Sequence, residues 1–463
     1  MLDAFHLPAL DNPPTASWSY GPEEARVELR LPRLTPELVR RQVDALLEAR
    51  ARHLAERPVE ELVEVVDAVA TRLLDPGDPL RRAAQAALPA VTGYSPAMIR
   101  HLLDGMAAGW RADALRRLLA AELRDPAALD GFVARARGDG RTRAYGPRLA
   151  VHTFSGNVPG VAVTSLIRSL LVKAATLGKT AAGEPLLPAL FARGIAEADA
   201  GLGACIAVAY WPGGDEALEA AALERADTVI AYGSTEAVAA LREQSPPSAR
   251  FVGYGHRLSF GVVARQAAGP GSAAAAALDA TIFDQQGCVS PHLFYVEEGG
   301  ATAPAEWARL LAEQMAKLEP ALPRGSLAPG ESSAIRQLRA EAEFAQAGGD
   351  GTVLHASARG TVWTVVYDAD PTFAPSCLNR VVRVKPVPTL ERVGSLVAPL
   401  ADFLQTVGFA APEARVVKLA EQLGALGASR VVPLGAMAWP PAEWHHDGRP
   451  PLGELVRWCD LEA

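Results

Sequence analysis

The strongest constraint on the fold is a regular alternation of short apolar runs and amphipathic segments that begins near residue 145. Apolar runs predict strands, and hydrophobic residues at helical spacing predict helices. Strands that alternate with helices of about 10 to 15 residues favour a parallel sheet with helices on both faces. The predicted strands lie at 147–154, 204–211 and 227–233, and the predicted helices at 161–175 and 215–226.

A second group of apolar runs begins near residue 256 and predicts a second α/β domain. Its predicted strands lie at 258–264, 292–297, 361–368 and 380–387, around a helix at 307–319. The stretch "AAGPGSAAAAAL" is low in complexity, and we interpret it as an alanine-rich helix after a Gly-Pro-Gly turn.

The first third of the chain has mainly helical signals. Thr35 followed by Pro36, and Ser95 followed by Pro96, are typical of helix starts. We therefore expect an α/β chain with two doubly wound domains and a helical N-terminal region. The expected division is a mainly helical region at 1–145, α/β domains at 146–255 and 256–435, and a C-terminal tail at 436–463.

Charge and cysteine content exclude several functional classes. A formal net charge of -8 argues against a general nucleic-acid binder. The first residues lack a basic segment followed by an apolar one, and no apolar run reaches about 18 residues, so we expect neither a signal peptide nor a membrane span. The four cysteines have no CxxC spacing, which favours a cytoplasmic protein without a metal site. The adjacent histidines His445 and His446 have no evident third ligand.

Two nucleotide-binding motifs are suggested and then excluded by the sequence. "VGYGHRL" has Leu258 where the third glycine of a dinucleotide fingerprint belongs, and a strand follows it instead of a helix. "KAATLGKT" ends like a P-loop, but Lys173 replaces the first glycine.

One cysteine, Cys288, lies in "FDQQGCVSPHLFYVE" between a polar turn and a predicted strand. A buried packing cysteine and a catalytic nucleophile are both compatible with this stretch alone. The order of the surrounding loops narrows the choice: "FSGNVPG", "LGKTAAGEP", "AYGSTEA" and "GYGHRLSF" precede "QQGCVSPH".

Taken in this order, the loops resemble those of the aldehyde dehydrogenase superfamily. Asn157, Lys179 and Gly233 precede Cys288 by 131, 109 and 55 residues, close to the spacing in that superfamily. The loop "DQQGC-SP" and the tail after residue 430 resemble the acyl-CoA reductase branch, the LuxC-like enzymes that make long-chain aldehyde for bacterial luciferase. The resemblance covers about residues 145–463.

The resemblance implies a role for each loop. Cys288 would attack an acyl thioester and hold the acyl group, which splits one difficult reduction into two steps. The side-chain amide of Asn157 and the N–H of Cys288 would bind the resulting oxyanion. An Asn-turn is the structural alternative for Asn157. The other cysteines are expected to be packing residues.

The resemblance also implies a cofactor site. Lys179 would bind the adenosine ribose or its phosphate, Gly233 and Ser234 would receive the pyrophosphate at a helix start, and Pro159 and Gly255 would complete the site. Capping alone also explains Ser234, and a solvated surface lysine is the alternative for Lys179.

Two departures from the superfamily pattern affect the predicted chemistry. Ala182 stands where NAD-preferring relatives carry an acid, so we expect NADPH, although Glu184 lies nearby. The segment 253–257 lacks the glutamate that activates water in hydrolytic relatives, and the role of His256 stays open. Phe373 is the candidate aromatic near the nicotinamide ribose, but no glutamate accompanies it.

The expected activity is NADPH-dependent reduction of a fatty acyl-CoA to the aldehyde in the cytoplasm. The expected partners are the acyl-CoA substrate, an acyl-protein synthetase and further copies of the chain. The alternatives are a short-chain CoA-acylating aldehyde dehydrogenase, a cysteine-dependent acyltransferase without redox chemistry, and a non-catalytic assembly subunit.

Overall fold

The computed structural model describes residues 1–135 and 139–462. Its N-terminal part contains a small sheet followed by helices. The strands are β1 (Leu2–Asp3), β2 (Thr15–Tyr20) and β3 (Val27–Pro32). The helices are α1 (Pro36–His53), α2 (Val59–Leu74), α3 (Pro79–Thr92), α4 (Pro96–Gly109) and α5 (Ala112–Leu123).

The predicted helix starts are confirmed at both Ser/Thr-Pro pairs. The hydroxyl of Thr35 accepts a hydrogen bond from the Leu38 N–H at 3.4 Å, and that of Ser95 accepts from Met98 at 3.2 Å. In each helix proline occupies the first position, where its missing N–H has no cost.

A parallel sheet in the order β10-β9-β6-β7-β8 forms the smaller of the two wound sheets. After the short strands β4 (Val133–Ala134) and β5 (Arg141–Tyr145), it contains β6 (Leu149–Thr153), β7 (Ala175–Thr180), β8 (Ile206–Tyr210), β9 (Thr228–Tyr232) and β10 (Arg250–Tyr254). Its helices are α6 (Val161–Leu171), α7 (Leu186–Ala198), α8 (Ala200–Gly203), α9 (Glu216–Leu223) and α10 (Thr235–Gln244).

The larger sheet has the order β13-β14-β15-β12-β11-β16-β17 and is parallel except for the β13–β14 pair. Its strands are β11 (Leu258–Val263), β12 (Pro291–Glu297), β13 (Val353–Ala356), β14 (Thr364–Tyr367), β15 (Val381–Val387), β16 (Leu404–Ala410) and β17 (Arg430–Pro433). Its helices are α11 (Pro270–Thr281), α12 (Pro304–Leu318), α13 (Pro329–Gly348), α14 (Glu391–Val397) and α15 (Glu413–Ala425). The α/β prediction is confirmed, including the alanine-rich helix.

The N-terminal helices are part of the core of the smaller sheet. Helix α1 buries Val39, Val43 and Leu46 against one face, while α2 to α5 share the opposite core with α6 and α7. The last strand, β18 (Arg457–Leu461), pairs with β5, so the tail returns to the N-terminal region. The division at residues 145, 255 and 435 stays a prediction.

One element prediction is wrong. Helix α6 ends at Leu171, and the expected loop "LGKTAAGEP" begins as the buried end of strand β7. Polar Lys179 and Thr180 obscured the strand, although all six β7 residues are buried. Gly178 is required there because a Cβ atom would lie 2.6 Å from the ring of Phe154.

The two wound sheets meet end to end. The three residues 255–257 join the carboxyl end of β10 to the amino end of β11, which lies beside the amino ends of β12 and β16. Carboxyl ends of the smaller sheet therefore face amino ends of the larger one. No helix within the described residues is long and apolar enough to cross a membrane.

Candidate active site

The loop that carries Cys288 begins with a strained turn. Phe283, Asp284 and Gln285 have φ angles of 56°, 48° and 65°, a region that costs a non-glycine residue roughly 1–2 kcal/mol. The buried amide of Gln285 holds the turn: it donates to the carbonyls of Pro291 (2.7 Å) and Val381 (2.9 Å) and accepts from the Val381 N–H (2.9 Å). The turn is therefore fixed against strands β12 and β15.

A buried ion pair provides the second anchor of this loop. The guanidinium of Arg380 donates to Asp284 at 2.8 Å and to Glu319 at 2.9 Å. Asp284 also accepts from the Gly325 N–H at 3.0 Å. Pairing and hydrogen bonds offset the cost of removing these charges from water, which is several kcal/mol per ion.

Contacts between the first loop of the smaller sheet and the thiol loop define the site. The side-chain amide of Asn157 donates to the carbonyl of Gln286 at 2.8 Å. The Tyr94 hydroxyl lies 2.7 Å from the Asn157 carbonyl oxygen and 3.1 Å from that of Phe283. Burial raises the pKa of Tyr94, so this hydroxyl keeps its proton and remains a donor. Sequence reasoning missed Tyr94, since nothing in its local sequence distinguishes it from a packing residue.

Cys288 itself is exposed to solvent, which excludes the simple packing interpretation. Its carbonyl accepts a 2.7 Å hydrogen bond from the Ser259 hydroxyl at the start of β11. Lost hydration raises the pKa of the Cys288 thiol to about 11, and the charge of Asp447 adds to this rise. At neutral pH the resting residue is a thiol.

A carboxylate from the tail reaches the neighbourhood of the thiol. Asp447 is buried and accepts from Arg257 at 2.8 Å and from the Gln405 amide at 2.6 Å. The loop at 253–257 lacks a carboxylate in sequence, but the fold brings one beside it. Sequence reasoning missed both Asp447 and Gln405 because they lie more than 100 residues from this loop.

The tail also packs an aromatic stack against the smaller sheet. His446 lies with ring centroids 4.3 Å from Tyr254 and 4.9 Å from Trp444. Burial lowers the pKa of His446 to about 3, so the ring is neutral. Arg449 donates to the Gly253 carbonyl at 2.7 Å. His446 thus packs as an aromatic residue and holds the tail against the end of β10, where the two sheets meet.

The predicted cofactor loops lie at the carboxyl edge of the smaller sheet. Strand order reverses between β6 and β9, the position where wound sheets of this kind leave a crevice for ligands. Pro159 follows β6, while Gly233 and Ser234 follow β9, so both segments border this crevice. The Ser234 hydroxyl caps α10 by accepting from the Ala237 N–H at 3.2 Å. At Gly255, a Cβ atom would approach only the Thr235 hydroxyl, at 3.9 Å.

Lys179 lies near the end of β7, buried and paired. Its ammonium group donates to Glu219 of α9 at 2.9 Å and lies 5.7 Å from the ring centre of Trp211. This pairing rules out the solvated surface lysine. Ala182 is exposed at the turn after β7. The carboxylate of Glu184 accepts from the first N–H groups of α7, at Leu186 (2.9 Å) and Leu187 (2.7 Å), and therefore acts as a helix cap.

The remaining candidates lie elsewhere. Cys205 is buried and Cys377 partly buried, but Cys459 is exposed on β18, so the packing prediction is wrong for Cys459. Its position on an edge strand explains the exposure. Phe373 packs edge-on against Phe260, with ring centroids 6.3 Å apart. His256 is exposed, and its ring lies 6.4 Å from that of Phe403.

Comparison with solved structures identifies the class of fold. The chain superposes on the aldehyde dehydrogenase KauB from Pseudomonas aeruginosa with a TM-score of 0.76 and 14% identity, covering 98% of this chain and 95% of that one. A benzaldehyde dehydrogenase from Corynebacterium glutamicum matches with a TM-score of 0.74, 14% identity and coverage of 99% and 98%. The chain therefore has the aldehyde dehydrogenase fold.

Sequence comparison identifies the family within that fold. The model of the acyl-CoA reductase (LuxC) family matches residues 54–458, and the chain belongs to this family. A long-chain acyl-protein thioester reductase from Aliivibrio fischeri is 27% identical over 330 residues, 70% of this chain and 66% of the relative. The matched part thus spans slightly less than two thirds of that relative.

Proposed function

We propose that the chain reduces a long-chain acyl thioester to the aldehyde with NADPH, through a thioester on Cys288. The observation that carries the proposal is the contact between Asn157 and the thiol loop, 2.8 Å from amide nitrogen to the Gln286 carbonyl. An exposed cysteine and a neutral amide donor are thereby held together at the joint of two sheets, as acyl transfer requires. Family membership supports the choice of an acyl reduction.

In the first step the sulfur of Cys288 bonds to the acyl carbon and the thiol of the acyl donor leaves. The nucleophile is the thiolate, and the resting residue is protonated, so its proton has to leave as the C–S bond forms. The strained turn at 283–285 fixes the approach of the loop.

The carbonyl oxygen gains negative charge in this step and needs fixed donors. A side-chain amide carries two N–H groups, and one of those on Asn157 is used by Gln286. The second N–H is available to the oxyanion, together with the N–H of Cys288. Losing one such donor typically reduces kcat by about 100- to 1000-fold.

The second step needs a nicotinamide cofactor at the crevice of the smaller sheet. NADPH, when bound, supplies the hydride to the acyl carbon, and Cys288 leaves as the thiolate to release the aldehyde. The residues present fit such a group: the N-terminus of α10 offers N–H groups after Gly233, and Lys179, which is paired with Glu219, offers a cation near the end of β7. The absence of an acid at Ala182 supports NADPH.

Water has to be excluded as a competing acceptor of the acyl group. The charge of Asp447 acts on the Cys288 thiol, but Arg257 and Gln405 each donate to one of its oxygens. A carboxylate engaged in this way is a poor general base. The acyl-enzyme therefore persists until hydride or a thiol reacts with it.

The acyl donor is acyl-CoA or an acylated partner protein such as an acyl-protein synthetase, and the setting is the cytoplasm. Self-association into a homo-oligomer is supported by β18, whose five residues are exposed although one edge pairs with β5. Light scattering of the purified chain measures this directly.

The decisive experiment is a panel of acyl-CoAs from acetyl to palmitoyl, assayed for aldehyde with NADPH and with NADH. The proposal expects one aldehyde per NADPH oxidised, greater rates with long chains, and no aldehyde from the Cys288→Ser variant. Acyl transfer without NADPH oxidation would instead indicate an acyltransferase. A preference for acetyl-CoA would indicate a short-chain CoA-acylating dehydrogenase.

A further inference from the structure

The ion pair at the end of β7 has a consequence for cofactor choice. Lys179 and Glu219 are both buried, at 8% and 7% exposure, and their charged atoms lie 2.9 Å apart. The Gly214 N–H also points at the same Glu219 oxygen, at 3.4 Å. Glu219 therefore stands in a fixed position rather than on a mobile surface side chain.

We infer that Glu219 limits the preference of this chain for NADPH over NADH, because it pairs with the cation that would bind a 2′-phosphate. The inference rests on the proposed function, in which Lys179 faces the adenosine ribose. A 2′-phosphate bound to Lys179 would lie beside the Glu219 carboxylate and would be repelled by its charge. A ribose with a free 2′-hydroxyl donates to that carboxylate without repulsion.

The position of Glu219 explains why the residues that follow Lys179 in sequence do not by themselves predict the cofactor. An acid is absent three residues after Lys179, at Ala182, and Glu184 caps α7. Helix α9 supplies a carboxylate from 40 residues further along the chain. The two glycines next to it, Gly213 and Gly214, leave room for a ligand, since a Cβ on Gly213 would meet only the Lys179 ammonium group, at 3.9 Å.

The test measures binding of two adenosine fragments by calorimetry, without any turnover. Adenosine 2′,5′-bisphosphate carries the 2′-phosphate, and 5′-AMP lacks it. In the Glu219→Gln variant we expect the first to bind about tenfold more tightly, which corresponds to about 1.4 kcal/mol. Binding of 5′-AMP should stay the same or weaken. Glu216→Gln removes a charge from an exposed position of the same helix and should change neither affinity.

A second comparison separates charge from structure. In a Lys179→Gln background, Glu219→Gln should no longer improve binding of the bisphosphate, because the freed cation is absent. Glu219→Asp keeps the charge but withdraws it from Lys179, and it should give an intermediate gain even if Glu219→Gln fails to fold.

An unchanged ratio of the two affinities in both folded Glu219 variants would overturn the inference while leaving the reductase proposal intact. If neither fragment bound the unaltered chain at millimolar concentration, the proposed cofactor site and this inference would both be overturned. Loss of aldehyde formation with normal fragment binding would count against the proposed reaction alone.

Discussion

The two sheets contribute to the site with opposite ends and in different ways. The smaller sheet contributes the loops that follow its strands. In two of these loops, 154–160 and 211–215, the residues with positive φ are glycines, Gly160 and Gly214. The larger sheet offers the loop before β12, where three consecutive non-glycine residues have positive φ. A second such run, at 378–380, immediately precedes β15.

This difference corresponds to two tasks. A cofactor has to enter and leave, and unstrained loops with helix starts suffice to bind it. A covalent nucleophile has to meet an acyl carbon in one geometry, so its loop is held by the Gln285 amide and by the buried Arg380–Asp284 pair. Strain in the thiol loop is stabilised by these surroundings.

The largest effect that this difference between the two sheets predicts follows removal of the nucleophile. Cys288→Ser should lower aldehyde formation by at least about 1000-fold, because a covalent step is lost. Binding of adenosine fragments should be unchanged, since their site belongs to the other sheet. Residual activity above about one percent would contradict the covalent mechanism. Cys459→Ser, also exposed but on β18, is the matched control.

The lifetime of the acyl-enzyme tests whether a general base acts at the site between the two sheets. Acyl-Cys288 formed without NADPH should persist for minutes in intact-protein mass spectra, since base assistance is worth roughly 100- to 10,000-fold. NADPH should discharge it as aldehyde, and coenzyme A should return acyl-CoA.

A glutamate placed in the joint should accelerate release of fatty acid from this acyl-enzyme. Gly255 is the suitable position, because a Cβ at Gly253 would lie 2.6 Å from Val238 whereas one at Gly255 meets nothing closer than 3.9 Å. Rapid fatty-acid release by the unaltered chain would show that Asp447 acts as a base despite its two partners.

The bridge between the sheets is tested by Asn157→Ala. We expect kcat to fall by about 100- to 1000-fold through loss of an oxyanion donor, with fragment binding unchanged. The variant also loses the bond to Gln286, so the alkylation rate of Cys288 without substrate should be measured in parallel. A fall in kcat matched by an equal fall in alkylation would assign Asn157 to loop positioning instead.

Titration of the thiol tests the surroundings of the larger-sheet loop. The pKa of Cys288 is raised to about 11, so its thiolate fraction, and with it the iodoacetamide rate, should rise about tenfold per pH unit from pH 7 to 9.5. Asp447→Asn should move the profile to lower pH, because a neighbouring negative charge is removed. A plateau below pH 8 in the unaltered chain would refute this description.

The smallest effect is expected at the turn after β7. Ala182→Glu should shift the ratio of kcat/KM toward NADH by only a few-fold, because Ala182 is exposed and charges there are screened by solvent. Glu219→Gln should shift it further, in the opposite direction. An equal or larger effect of Ala182→Glu would show that the turn after β7, and not Glu219, determines the cofactor selectivity.

The sequence by itself determined the α/β class, most strand and helix positions, and the likeness to a reductase family. These depend on local periodicity and on capping residues such as Thr35 and Ser95, which act within a few positions along the chain. Strand β7 was not predicted from the sequence, because the polar side chain of Lys179 is paired with a distant carboxylate. The sequence also proposed Cys288 and Asn157 as partners, and they lie on adjoining loops.

Only the tertiary structure decided which charged groups surround those residues. Asp447, Gln405, Tyr94 and Glu219 have ordinary local sequences, and their roles arise from contacts over separations of 40 to 190 residues. A missing acid in one loop could be supplied by another element, as at Arg257 and Lys179. Electrostatic interactions act through space and depend on burial, so no local pattern along the chain records them.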